Sequence, residues 1–315
     1  VKRDRLDQAA GRVIKQALKL RRGESFLLVT DRQKLEIAEA LAGWAAKAGA
    51  ETTTYLLTET LRPVTAPTRL LREAARKAGA IAYLLESRIE EKPLRSFLVK
   101  TGMKSSRILM MPGISRDMME RLVNIDYARL TAFTKRVIQS IRDAEDVLVE
   151  NPLGTRLRFS VKGRTWVNGN GDISRRGKHG NLPAGECYTA PVEDTFSGTI
   201  VLSLIDDKLG RGVMEFKKGK LTEWTGKGIE AVIRNIGGDS TGKVIGEFGI
   251  GTNRNARITA NMLEAEKAFG TAHFAIGDSY GLGRNSSRHH YDALVERVTI
   301  TARGKVILRE GKFLL

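Results

Sequence analysis

The feature that most constrains this chain is a change of texture near residue 150. Before it, segments of helical spacing alternate with short apolar runs. Leu6, Ala9, Ala10, Val13, Ile14 and Ala17 lie on one helical stripe, and Arg21-Arg22-Gly23 ends it. Ser25-Phe26-Leu27-Leu28-Val29-Thr30 is a run of strand length. Asp31 is placed to cap a helix over 35–48, which Gly49 stops. The beat continues with strands at 52–57, 81–85 and 105–111, helices at 70–78, near 94 and at 117–123, a longer helix at 130–143 and a strand at 147–150. Apolar strands without strict alternation suit a parallel sheet covered on both faces. Residues 1–150 are therefore expected to form a three-layer α/β domain. They hold no Gly-x-Gly-x-x-Gly or Walker motif, so nucleotide binding has no direct support.

After Asn151-Pro152-Leu153-Gly154 the chain is rich in strands and turns. Strands are expected at 156–161, 165–167, 199–204, 211–217 and 221–225, with a turn at Lys218-Gly219. A helix is expected at 228–236, and a terminal hairpin joins 295–301 to 305–309 across Ala302-Arg303-Gly304. Residues 151–315 thus read as an α+β domain, with a cleft expected between the two bodies.

Charge narrows the partners. The chain has 53 Lys and Arg against 36 Asp and Glu, for a net +17. The excess is spread evenly, at +9 over residues 1–150 and +8 over the rest. It suits anionic substrates or casual nucleic-acid contact. No helix-turn-helix, RNP motif or Arg-rich arm accompanies it, so dedicated nucleic-acid binding is not expected. One cysteine, Cys187, excludes an internal disulfide scaffold and a cysteine zinc finger. No apolar run reaches the roughly 18 residues of a membrane span. The basic start Val1-Lys2-Arg3 leads into no apolar signal core, and a cytoplasmic location is the expectation.

The chemistry-bearing residues fall late in the chain. Three of the four histidines, His273, His289 and His290, lie within 18 residues. His290 and Asp292 are two apart, so on a strand they point the same way and can reach one metal ion. Glu247 stands alone within Ile245-Gly246-Glu247-Phe248-Gly249-Ile250-Gly251, where an unpaired carboxylate is costly to bury. His273 is similarly isolated in Gly270-Thr271-Ala272-His273-Phe274-Ala275-Ile276-Gly277, and Glu186 ends Asn181-Leu182-Pro183-Ala184-Gly185-Glu186. Singly, each reads equally well as a turn or surface residue. Together they supply the oxygen and nitrogen donors of a zinc, manganese, cobalt or iron centre. The basic run Arg175-Arg176-Gly177-Lys178-His179 reads as an exposed loop. Trp44, Trp166 and Trp224 read as packing residues.

These blocks, with Glu266-Lys267-Ala268-Phe269 and Asn285 through Asp292, resemble the thermophilic metallo-aminopeptidases of the aminopeptidase T and S group. The resemblance is specific over 181–292 and looser before it. It implies a centre of two divalent ions, zinc, cobalt or manganese, ligated by Glu186, Glu247, His273, His290 and Asp292. It further implies a homodimer that removes the N-terminal residue of peptides through a two-metal activated water. Glu247 would be the proton carrier and Tyr280 a substrate or transition-state contact. Glu266 would support the centre or help to hold a metal. Ala265 departs from the pattern, which often has Asp there.

A related branch, the ring-opening dioxygenases of dihydroxypyridine, is similar too and implies the alternative. One Fe(II) would sit on His273, His290 and Asp292, open to oxygen and to a hydroxylated aromatic ring. Arg284 and Arg288 would then suit an anionic ring. A third possibility is a non-catalytic or nucleic-acid-binding module that keeps the fold.

Overall fold

The computed structural model describes residues 4–86 and 88–315; the basic start, Val1 to Arg3, lies outside them. The chain divides into two compact units. The first takes the described residues through Tyr127 together with Gly171–Ala184, and the second takes Ala128–Asn170 and Gly185–Leu315.

In the first unit the alternating beat becomes a parallel sheet. Its strands are β1 (Ser25–Asp31), β2 (Glu51–Leu57), β3 (Ala80–Leu84), β4 (Arg107–Met110) and β8 (His179–Asn181), in the order β2-β1-β3-β4-β8. Every residue of β3 is buried, and every residue of β1 after Ser25, as a sheet covered on both faces requires. Around it lie α1 (Arg5–Arg12), α2 (Leu35–Lys47), α3 (Arg69–Lys77), α4 (Lys92–Gly102) and the short α5 (Arg116–Met118). Short polar side chains start the helices: Asp4 caps α1, Thr68 caps α3 and Ser115 caps α5. Asp31 caps a 3-10 turn, Arg32–Lys34, that leads into α2.

β8 is a difference from the expected exposed loop at 175–179. His179 pairs with Ile108 in parallel register, and the Ile108 N–H donates to the Lys178 carbonyl at 2.9 Å. The strand is short and polar, so no apolar run marks it in the sequence.

The second unit is built on an antiparallel sheet. Its strands are β5 (Val147–Glu150), β6 (Arg156–Phe159), β7 (Val167–Gly169), β9 (Glu186–Thr189), β10 (Ser197–Ile205), β11 (Lys208–Lys217), β12 (Lys220–Thr225), β13 (Ile245–Gly251), β14 (Ala272–Gly277), β15 (His290–Val295), β16 (Thr299–Ala302), β17 (Lys305–Arg309) and β18 (Lys312–Phe313). The order is β18-β17-β16-β5-β6-β10-β15-β14-β13-β9-β7, with β11 on β10 and β12 on β11. α6 (Tyr127–Ile141), α7 (Lys227–Ile236) and α8 (Met262–Ala265) accompany it. β5 pairs with β6 and β16, which ties this strand to the second unit's sheet. The single strand expected over 295–301 is broken between β15 and β16, where Arg297 takes a left-handed φ of 50°.

One face of this sheet is a core of aromatic rings. Phe248 stacks on Phe274 at 5.3 Å between centroids, and Phe159 meets Phe248 edge-on at 4.9 Å. Phe196 and Phe216 extend the cluster. Trp166 packs on it through Phe248, and Trp224 also packs against this core. The overall class is the expected one: a parallel-sheet α/β body followed by an α+β body.

Candidate metal centre

Strand alternation builds the site. In β13, β14 and β15 one set of alternate residues, Phe248, Ile250, Phe274, Ile276, Tyr291 and Ala293, enters the core. The other set points to the opposite face. Antiparallel register then aligns the polar residues across four strands. Asp292 faces Ala275, His273 faces Gly249, and Gly251 faces Glu186. Glu247, two residues before Gly249, shares that face. So Glu186, Glu247, His273, His290 and Asp292 converge on one face of β9-β13-β14-β15. Cys187 alternates away from Glu186 into the core, where burial pushes its thiol up, so it is no donor to this face.

Glycine makes the convergence possible. Gly249 lies opposite His273, and a Cβ there would come 2.0 Å from His273 Nε2. The imidazole lies across the neighbouring strand at that point because nothing projects from it.

The donors form two adjoining groups. Glu186, Glu266 and His273 offer atoms within 4.8 Å of one another, and so do Glu247, His290 and Asp292. His273 links them: its Nε2 is 3.5 Å from Glu186 Oε2 and 3.3 Å from Glu247 Oε1. His290 Nε2 is 3.5 Å from Asp292 Oδ2 and 3.9 Å from Glu247 Oε2. The other ring nitrogen of His290 lies 2.8 Å from the Asp278 carbonyl. A carbonyl only accepts, so Nδ1 carries the hydrogen and Nε2 is directed at the carboxylates.

The side chains fit a cation. His273 is fully buried, yet among the described residues neither of its ring nitrogens makes a hydrogen bond. Asp292 Oδ1 is likewise buried without a partner. Orphaned buried polar atoms are costly, and divalent ions at the two groups would take His273 Nε2 and Asp292 Oδ1 as donors.

Electrostatics agree. Burial alone would lower the two imidazoles, but the facing carboxylates outweigh it and push His273 up to about 9 and His290 up to about 10. Burial raises Glu247, and raises Glu266 to about 8. Asp292 goes the other way: despite burial, His290 holds it down to about 2.

Two residues add to the expected set. Glu266, weighed as a supporting residue, stands with Glu186 and His273 as a donor. Lys267 carried no signal beyond its place in the Glu266 block. It is 1% exposed, and its ammonium lies 3.0 Å from Glu186 Oε1 and against Glu266 Oε1. Ala265 is buried with Leu204, Met262 and Leu294 and adds no carboxylate to the donor groups. Tyr280 takes a left-handed φ of 50°, and its ring lies 4.5 Å from that of His290. Arg284 is engaged by Glu193 and Asp194, and Arg288 lies 3.9 Å from Asp239.

Residues 126–313, the span that contains this cluster, match the family described as thermophilic metalloprotease (M29). The chain belongs to that family. Membership places this M29 chain among the metal-dependent peptidases, which are hydrolases and require a divalent ion. Two solved structures share its fold. One is wild-type AmpT from Thermus thermophilus, 19% identical, with 99% of each chain covered and a TM-score of 0.76. The other is 2,5-dihydroxypyridine dioxygenase from Pseudomonas putida KT2440, 17% identical, covering 98% of this chain and 96% of that one, with a TM-score of 0.77. No curated protein sequence matches this M29 chain. No helix among the described residues is long and apolar enough to cross a membrane.

Proposed function

We propose that this chain is an aminopeptidase that uses two divalent ions, zinc, cobalt or manganese. One observation carries the reading: two adjoining three-donor groups, Glu186/Glu266/His273 and Glu247/His290/Asp292, meet at His273. Three protein donors per ion leave positions open for substrate and water. When bound, paired ions polarise a carbonyl and acidify a water. Glu247, buried between His273 and His290, would be a metal donor and also the carboxylate that passes the proton of the activated water to the leaving amine. Tyr280, beside His290, would steady the oxyanion. The surplus of carboxylates favours a free α-amino group as the anchoring end of the peptide.

The test is to strip the protein of metal, reload it with zinc, cobalt or manganese, and compare one peptide with free and acetylated N-termini by mass spectrometry. Release of the first residue from the free peptide alone, with two ions per chain by elemental analysis, is the expected result. Equal internal cleavage of both peptides would overturn the aminopeptidase assignment.

The dioxygenase alternative has its triad, since His273, His290 and Asp292 share the sheet face. In it Glu186 and Glu247 would support the iron ligands or deprotonate a ring hydroxyl, but Glu266 has no task, and Arg284 is already paired with two carboxylates. Oxygen uptake on 2,5-dihydroxypyridine with Fe(II), and no peptide cleavage, would select it.

A further inference from the structure

We propose that Lys267 is a built-in cation of the Glu186/Glu266/His273 half of the centre, which makes that half the weaker metal site and imposes an order of loading. The inference rests on the two-ion reading and adds to it which group fills first.

The geometry is lopsided. Lys267 Nζ lies 3.0 Å from Glu186 Oε1 and against Glu266 Oε1, so one oxygen of each carboxylate in this group is already on an ammonium. The lysine cannot withdraw to solvent, because its side chain is 1% exposed. Its backbone is held as well: the Lys267 N–H donates to the Glu264 carbonyl at 3.0 Å, and the Asn253 N–H donates to the Lys267 carbonyl at 2.9 Å. In the other group, the ion pairs of Glu247 and Asp292 among the described residues are with imidazoles only. An imidazole is itself a metal donor, whereas an ammonium has no lone pair to offer. An ion entering beside Lys267 meets a like charge and must share two carboxylates with it. An ion entering at Glu247, His290 and Asp292 meets no fixed cation, because an imidazole can give up its proton and become a donor. In a water-poor site that difference is large.

A second consequence concerns geometry. By holding the outer oxygens, Lys267 turns Glu186 Oε2 toward His273 Nε2, at 3.5 Å.

The experiment is a cobalt titration of the whole, metal-stripped chain, followed by calorimetry and the cobalt visible spectrum, with anomalous diffraction at about one and about two equivalents. In the wild type the first ion is expected at Glu247/His290/Asp292, and the second at Glu186/Glu266/His273 with a Kd at least about tenfold weaker. Lys267→Met keeps the length and removes the charge. It should tighten the second step at least about tenfold and leave the first within about threefold. A first ion found at Glu186/Glu266/His273, simultaneous filling, or a second step that is unchanged or weaker in Lys267→Met would overturn the inference and leave the two-ion reading intact. No cobalt at either group at millimolar concentration would overturn both. Should Lys267→Met not fold, the order of filling in the wild type decides alone.

Discussion

Gly249 and His273 face each other across β13 and β14, and the imidazole occupies the volume that a Cβ on Gly249 would fill. Both strands are central and buried, so neither can shift to make room. Gly249→Ala must therefore turn the ring of His273 away from Glu186 and Glu247. Overpacking of this kind costs ~1–3 kcal/mol. His273 is a donor of the Glu186/Glu266/His273 group, so elemental analysis should find the ion of that group depleted, while circular dichroism still reports a folded chain. Full metal content in a folded Gly249→Ala protein would contradict this account of the ring.

The first unit has a polar cluster of another kind. Arg62 is buried with Asp31 and Glu91, with Nη1 2.7 Å from Asp31 Oδ2 and Nη2 2.6 Å from Glu91 Oε2. Glu91 also accepts from the Val64 N–H, and Asp31 from the Lys34 and Glu86 N–H groups. Both carboxylates are satisfied by the guanidinium and by backbone N–H groups, so this is scaffold and not a metal site. Arg62→Met leaves two buried carboxylates uncompensated. The expected loss is ~3–5 kcal/mol in urea unfolding, the range for one partner removed from a buried pair. A loss below ~1 kcal/mol would mean that water reaches the cluster.

The parallel sheet was legible because β1 and β3 are short runs with apolar centres, set between helices. β8 was not, because His179-Gly180-Asn181 has no apolar residue and gains its place only by pairing with β4. The strands that carry the candidate centre were half-hidden for a related reason. β13 is Ile245-Gly246-Glu247-Phe248-Gly249-Ile250-Gly251, and its glycines read as turns. Gly249 and Gly251 are there because His273 and the Ala268 carbonyl press against the strand. Single letters could suggest Glu186, Glu247, His273, His290 and Asp292 as donors, and spacing made His290 and Asp292 a pair. Which donors group together depends on register, and so does the arrival of Lys267 between Glu186 and Glu266. Register is set by long-range pairing and has no local signature.

Glu247→Gln separates proton handling from shape. The amide is isosteric with the carboxylate, so the Phe248 side of the strand keeps its packing. Because Glu247 is also a metal donor, the variant is compared at metal content matched by elemental analysis, where removing a general acid–base group should lower kcat by about 10²–10⁴. The melting temperature of the metal-free protein should move by no more than ~4 °C, equivalent to ~1 kcal/mol. A variant with wild-type kcat would remove Glu247 from that role.

Proton release is the last expectation. In the metal-free protein His273 and His290 are raised to about 9 and about 10 from 6.5, so their stabilising contribution is complete below pH 6.5 and lost as pH rises through those values. Glu266, raised to about 8 from 4.5, also favours the protonated folded state, and its contribution is lost between pH 4.5 and about 8. Asp292, lowered to about 2 from 3.8, acts oppositely: its contribution is present above 3.8 and lost as pH falls through about 2. Between pH 6.5 and about 8 the first three act together, and above that the imidazoles alone continue to about 9 and about 10, so the metal-free protein should melt progressively lower from pH 6.5 to about 10. A metal ion takes the place of those protons on the imidazoles. Near pH 7 binding should therefore release protons, and metal affinity should climb with pH until His290 no longer holds one. Calorimetry of metal binding at pH 7 in two buffers of different ionisation enthalpy measures the release directly. Equal apparent enthalpies in the two buffers would mean that the imidazoles are neutral before the metal arrives.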